Sequence, residues 1–152
     1  MTLKERILAD MKEAMKGKQK DRLRVLRSLK SKLMEREIDE RKGGDATLTD
    51  EQVLDVLVKS AKQRRESIEQ FEQAGRDELV QQEKSELVII ESYLPETLSE
   101  EEIRKIVKEV LSETGASDMS DMGRVMGKLV PKLKGQADGS VISRLVKEEL
   151  NR

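Results

Sequence analysis

The residues in this sequence whose type and spacing best suit chemistry are cations. Arg124, Lys128, Lys132 and Lys134 fall in one short segment, and Arg144 and Lys147 follow in the next. Phosphates are their natural target. Each phosphate neutralised by Lys or Arg releases condensed counterions, so such a patch binds RNA with strong salt dependence and reads little base sequence. A second block, Lys16, Lys18, Lys20, Arg22, Arg24, Arg27, Lys30 and Lys32, gives the Lys12 to Lys32 stretch nine basic residues against two acidic ones. It extends the candidate RNA footprint; for both blocks, ordinary solvated helix faces are the alternative.

Between the basic blocks, Glu69 to Glu102 holds eleven acidic residues against two basic ones. Glu69, Glu72, Asp77, Glu78, Glu83, Glu86 and Glu91 include pairs three or four apart, which share a helix face as metal or acid–base work would require. No partner of distinctive type accompanies them. Neutralising the basic helices within the fold is the better expectation, and neither a metal site nor a cofactor is predicted.

What is missing narrows the chemistry further. The chain has no histidine and no cysteine, which removes the commonest general base, the commonest neutral metal ligand and all thiolate chemistry. No glycine-rich phosphate loop or nucleophile elbow occurs. No run of about 18 apolar residues exists, and the opening MTLKERILADMKEAMKG lacks the apolar stretch of a signal peptide. These observations predict a cytoplasmic protein without a membrane partner.

The elements that must carry the cations are helices. Charged residues make up 40% of the 152-residue chain and its aromatics are Phe71 and Tyr93 alone, a mixture suited to long helices with solvated faces and aliphatic seams. Thr2 caps a first predicted helix with Leu3, Ile7, Leu8, Met11, Ala14 and Met15 on its buried stripe, ending near Gly17. A second runs from about Asp21, with Leu23, Val25, Leu26, Leu29, Leu33, Met34 and Ile38 inward, to a loop at Gly43-Gly44-Asp45. Thr49 and Gln52 form a capping box for a long third helix that closes at Ala74-Gly75. A fourth starts near Asp77 and carries Leu79, Val80, Leu87, Ile90 and Tyr93.

Proline then sets a boundary. The residue before Pro95 is pushed away from helical dihedrals, which places a linker at Tyr93-Leu94-Pro95-Glu96 and divides the chain into 1–94 and 95–152. Ser99 and Glu102 make another capping box, so Glu100, Glu101 and Glu102 need no catalytic explanation beyond the positive end of the helix dipole. A stop at Thr114-Gly115-Ala116-Ser117, a short helix from Met119 interrupted or bent by Pro131, and a last helix capped by Asp138 complete the chain. The fold predicted is all-α: an N-terminal bundle of about four helices joined to a small C-terminal three-helix domain. In that domain Met119, Met122 and Met126 are expected to fill core, with a partner-binding groove as the alternative. Gly123 and Gly127 are expected to permit close helix packing, with admission of an RNA backbone as the alternative.

Several strings in the tail occur together. They are Tyr93-Leu94-Pro95, Leu98-Ser99-Glu100-Glu101-Glu102-Ile103, Gly123-Arg124-Val125-Met126-Gly127-Lys128-Leu129, Pro131-Lys132-Leu133-Lys134-Gly135 and Ala137-Asp138-Gly139. With them the chain resembles the GatB/YqeY family. The resemblance covers the whole chain for stand-alone YqeY-like proteins, and residues 95–152 for the tail domain of the glutamine-dependent tRNA amidotransferase B subunit. It implies a helical tail that helps hold mischarged Glu-tRNA or Asp-tRNA, while transamidation belongs to a separate catalytic cradle with no counterpart here. Carbon–nitrogen ligase activity is therefore expected of the family's whole enzymes and not of this chain alone.

The function expected is tRNA binding or handling, with a tRNA-processing or aminoacylation enzyme as a further partner. A helical protein–protein adaptor without RNA is the alternative. Two aromatics provide almost no stacking surface, so recognition of folded RNA by shape fits better than reading of single strands or of DNA sequence.

Overall fold

The computed structural model describes residues 1–41 and 47–152; the predicted Gly43-Gly44-Asp45 loop lies outside them. The fold is all-α, with seven α-helices among the described residues: α1 Leu3–Lys16, α2 Lys20–Glu40, α3 Asp50–Gln73, α4 Asp77–Glu91, α5 Glu100–Thr114, α6 Met122–Lys132 and α7 Gly139–Leu150. Two compact units result, Met1–Leu94 and Pro95–Arg152.

Local chemistry sets the helix starts. Thr2, Thr49 and Ser99 each form a reciprocal capping box, with Glu5, Gln52 and Glu102 respectively, satisfying amides that have no partner within the helix. Asp118 and Asp138 cap the segments before α6 and at α7 by accepting from the amides of Ser120 and Ser140. Gly75 and Gly115 adopt left-handed φ values of 70° just beyond α3 and α5, where a β-carbon would be strained.

The end of α1 departs from the predicted pattern by one residue. Gly17 keeps φ −80°, and Lys18 takes the left-handed position at φ 56°. The Gln19 amide donates back to the Ala14 carbonyl at 2.9 Å, the six-to-one bond of a Schellman closure. Lysine in that conformation stores strain of about 1 kcal/mol. Lys18→Gly is therefore expected to raise the thermal midpoint, by stabilising the N-terminal unit about 0.5–1 kcal/mol once the looser unfolded chain is subtracted; a lower midpoint in calorimetry would contradict this.

The core of the first unit is built from Ile7, Ala14, Val25, Leu26, Leu29, Leu33, Leu48, Val53, Leu57, Ala61, Ile90 and Tyr93. Three residues assigned to its stripes face solvent instead: Met15 of α1 is 50% exposed, and Met34 and Ile38 of α2 are 50% and 60% exposed. The α2 stripe that includes Leu26, Leu29 and Leu33 is already complete, and Met34 and Ile38 lie beyond its edge. Leu79 at the start of α4 is likewise exposed. Tyr93, buried at the C-terminal end of the unit, donates its hydroxyl to Asp10 of α1 at 2.5 Å, and Arg6 stacks 4.9 Å from its ring centroid.

The second unit encloses a separate aliphatic core of Ile103, Val107, Val110, Val125, Leu129, Leu133, Ile142, Leu145, Val146 and Leu150. Met122 and Met126 pack against it, as core filling requires, whereas Met119 lies exposed in a 3-10 turn, Met119–Asp121, ahead of α6. Pro131 sits within the last turn of α6 without interrupting it. The Leu98 amide donates to the Gln136 carbonyl, tying the segment before α5 to the loop after α6.

Candidate nucleic-acid interface

The acidic and basic blocks of the first unit partly consume each other. Glu86 of α4 is 4% exposed and accepts from Arg24 of α2 at 2.7 Å and from Arg64 of α3, which also reaches Glu83 at 3.1 Å. Burying that carboxylate requires such pairing, because an isolated buried charge is expensive. Arg24 therefore serves the fold. Arg22 donates to Gln19 and lies 3.8 Å from Asp10. Lys16, Lys18, Lys20, Arg27 and Lys30 are exposed without an ion-pair partner among the described residues. Lys32 turns into the space between α2 and α3, where its amine donates to Ser60 at 2.8 Å and to Gln63 at 3.3 Å.

In the second unit the predicted cations divide by helix. Arg144 of α7 donates to Glu148 and to Glu100 of α5, and Arg104 of α5 forks across Glu148 and Glu149 at 2.7 Å each. The hydrogen bond from Arg104 holds the Glu148 carboxyl below its usual range. Arg144 thus belongs to an α5–α7 ion-pair network, while Lys147, one turn along, is exposed and without an ion-pair partner among the described residues. Ser140, Ser143, Arg144, Lys147 and Glu148 of α7, with Asn151 just beyond it, line a shallow groove.

Val125 and Leu129 of α6, and Leu133 just beyond it, lie in the core. Helical spacing then places Arg124, Lys128 and Lys132 along one exposed edge. Arg124 pairs with Asp121 at 3.1 Å; Lys128 and Lys132 have no ion-pair partner among the described residues. Lys134, half-buried just beyond the helix, is engaged within the fold.

The glycines of α6 overturn the packing expectation. A β-carbon built on Gly123 or Gly127 meets nothing within 4 Å outside its own helical turn. Both residues are exposed and leave bare backbone beside Arg124 and Lys128, with the exposed Pro131 one turn further along. Helix contacts inside the unit do not require them. The repeat of four residues that suggests packing in the sequence also fits a solvent face, and only the position of the buried stripe distinguishes the two.

Comparison with known proteins supplies the context for this surface. Residues 4–150 match the family model described as Yqey-like protein. "Altered inheritance of mitochondria protein 41, mitochondrial" of Pyrenophora tritici-repentis is 32% identical over 146 residues, covering 94% of this chain and 78% of the relative. The protein of the same name from Eremothecium gossypii is 39% identical over 85 residues, 56% of this chain and 45% of the relative. One of the subunits of the glutamyl-tRNA(Gln) amidotransferase of Thermococcus gammatolerans is 35% identical over 86 residues, which cover 54% of this chain and 14% of that relative.

Proposed function

The chain belongs to the YqeY-like protein family, and on that premise we propose that it binds structured RNA of the tRNA class through the surface of its C-terminal unit. The observation that carries this reading is the outer face of α6: bare backbone at Gly123 and Gly127 beside the ammonium groups of Lys128 and Lys132, which have no ion-pair partner among the described residues. A ribose-phosphate chain can approach such a strip closely while the lysines neutralise its phosphates. Lys147 adds a cation on α7, and Lys16, Lys18, Lys20, Arg27 and Lys30 form a separate cationic set on the N-terminal unit. The similarity to a protein named for glutamyl-tRNA(Gln) supports the choice of ligand. The match covers 14% of that relative, and the role read for this chain is holding RNA.

A salt titration of tRNA binding by fluorescence anisotropy tests it. Affinity is expected to fall steeply with salt, and Lys128→Glu with Lys132→Glu is expected to weaken binding at least about tenfold and flatten the log–log salt slope by about 2 units. Gly123→Ala with Gly127→Ala is expected to weaken binding while stabilising α6. Absence of tRNA binding at low salt, or binding indifferent to charge reversal, refutes the reading.

A protein partner is the second reading, favoured by Met34 and Ile38 on the outside of α2. Association that survives nuclease treatment and is lost in Met34→Ser with Ile38→Ser would support it over RNA.

A further inference from the structure

A groove of about 440 Å³ lies between α2 and α3, with Lys32, Glu35 and Asp39 on one wall and Asp55, Ser60 and Gln63 on the other. RNA binding leaves it unused. Its three acidic residues are balanced by Lys32, Arg36 and Lys59, so no net charge recommends it as an anion or cation site. Its distinctive feature is a restrained amine. Most lysines of the basic block extend into solvent, whereas the Lys32 amine is anchored to Ser60, which is 1% exposed, and to Gln63.

We propose that Lys32 is an acylation site, its amine taking an acyl group within this groove from an activated carbonyl donor, a thioester or an acyl phosphate. Two of the three ammonium protons are committed to Ser60 and Gln63, so the remaining one is the proton available to be lost, leaving the lone pair free for attack. The anchored side chain has little rotamer freedom left to lose on the way to the tetrahedral intermediate. The groove is large enough to admit the reacting end of a small donor.

The surroundings hold the Lys32 ammonium below the usual lysine range. Burial and then the Arg64 guanidinium lower the ammonium's pKa, against the opposing pull of Glu35 and Glu83. The charged groups along the rest of the groove are Arg36, Asp39, Asp55 and Lys59, of which Arg36 is occupied by Glu40. Attack forms the C–N bond, and the intermediate collapses by breaking the carbonyl bond to sulfur or to the phosphate oxygen. The leaving group departs with the electron pair. The surplus amine proton passes to it or, through water, to Glu35 or Asp39. The product is an uncharged amide, so modification removes the cation from beside Ser60.

The test incubates the full chain separately with acetyl-coenzyme A and with acetyl phosphate, and follows occupancy of each lysine by peptide mass spectrometry. Near about pH 7, Lys32 is expected to react at least about threefold faster than the exposed Lys16 and Lys30, with the excess shrinking near about pH 9 as those lysines deprotonate. An excess with acetyl-coenzyme A alone assigns a thioester donor, an excess with acetyl phosphate alone assigns an acyl phosphate, and an excess with both supports the shared carbonyl chemistry. Equal or slower reaction at Lys32 with both donors overturns the proposal.

Discussion

Glu86→Ala is expected to destabilise the N-terminal unit by about 3 kcal/mol, because removing one partner from a buried ion pair leaves the opposing charge without compensation. The carboxylate joins α2, α3 and α4 by accepting from Arg24 and Arg64. The two arginines differ in what remains after its loss. Arg24 is 54% exposed at its side chain and can return to water or to Asp21, whereas Arg64 is 19% exposed and keeps Glu83 as its one acidic partner among the described residues. The cost therefore falls mainly on Arg64. A double-mutant cycle in urea isolates it: in an Arg64→Ala background, Glu86→Ala should cost clearly less than in the native chain. Equal costs in both backgrounds would show that the pair is not coupled and that the acidic block acts only through general charge. Glu86→Gln keeps an acceptor and is expected to fall between alanine and the native residue.

That cluster also marks where sequence stops being informative. Several helix ends were legible because they are written in local chemistry: the Thr2, Thr49 and Ser99 capping boxes, the glycines at 75 and 115, and the break at Pro95; α2 and α4, which start without a side-chain cap, were read from their apolar spacing. Burial was legible where apolar residues recur at helical spacing, and it failed at Met15, Met34, Ile38 and Leu79, where the predicted stripe is wider than the neighbouring helices can cover. The candidate site was harder to read because charge type does not reveal pairing. Arg24 and Lys128 look alike in sequence, yet one is spent on Glu86, a residue 62 positions away, while the other has no ion-pair partner among the described residues. Such long-range pairs have no periodic signature. The same limit explains Lys32, whose spacing fits the basic block but whose amine turns toward Ser60. For Gly123 and Gly127 the spacing was visible and its meaning was not, since packing and exposure differ only in which side of α6 the core occupies.

Leu129→Ala is expected to destabilise the C-terminal unit by about 3 kcal/mol, within the range for a fully buried leucine whose cavity does not collapse. Leu129 is completely buried among Val125, Leu133, Ile142 and Leu145, so the cavity opens at the centre of the unit. With only residues 95–152 to build a core, the unit is near the size at which a domain is marginal, and stability of about 0.05–0.15 kcal/mol per residue leaves a loss of that size hard to absorb. Hydrogen exchange should therefore become fast throughout α5, α6 and α7, while the amides of α2 and α3 keep their protection. Protection lost equally in both units would show that they unfold together. Adding Gly127→Ala separates stability from binding, because the new methyl meets nothing within 4 Å outside its own turn and removing a mid-helix glycine returns about 1 kcal/mol. The double variant should recover exchange protection relative to Leu129→Ala. If Gly127 is the place where RNA lies against α6, the same substitution must fail to restore tRNA affinity. Recovery of both together would mean that α6 contributes to binding only by being folded.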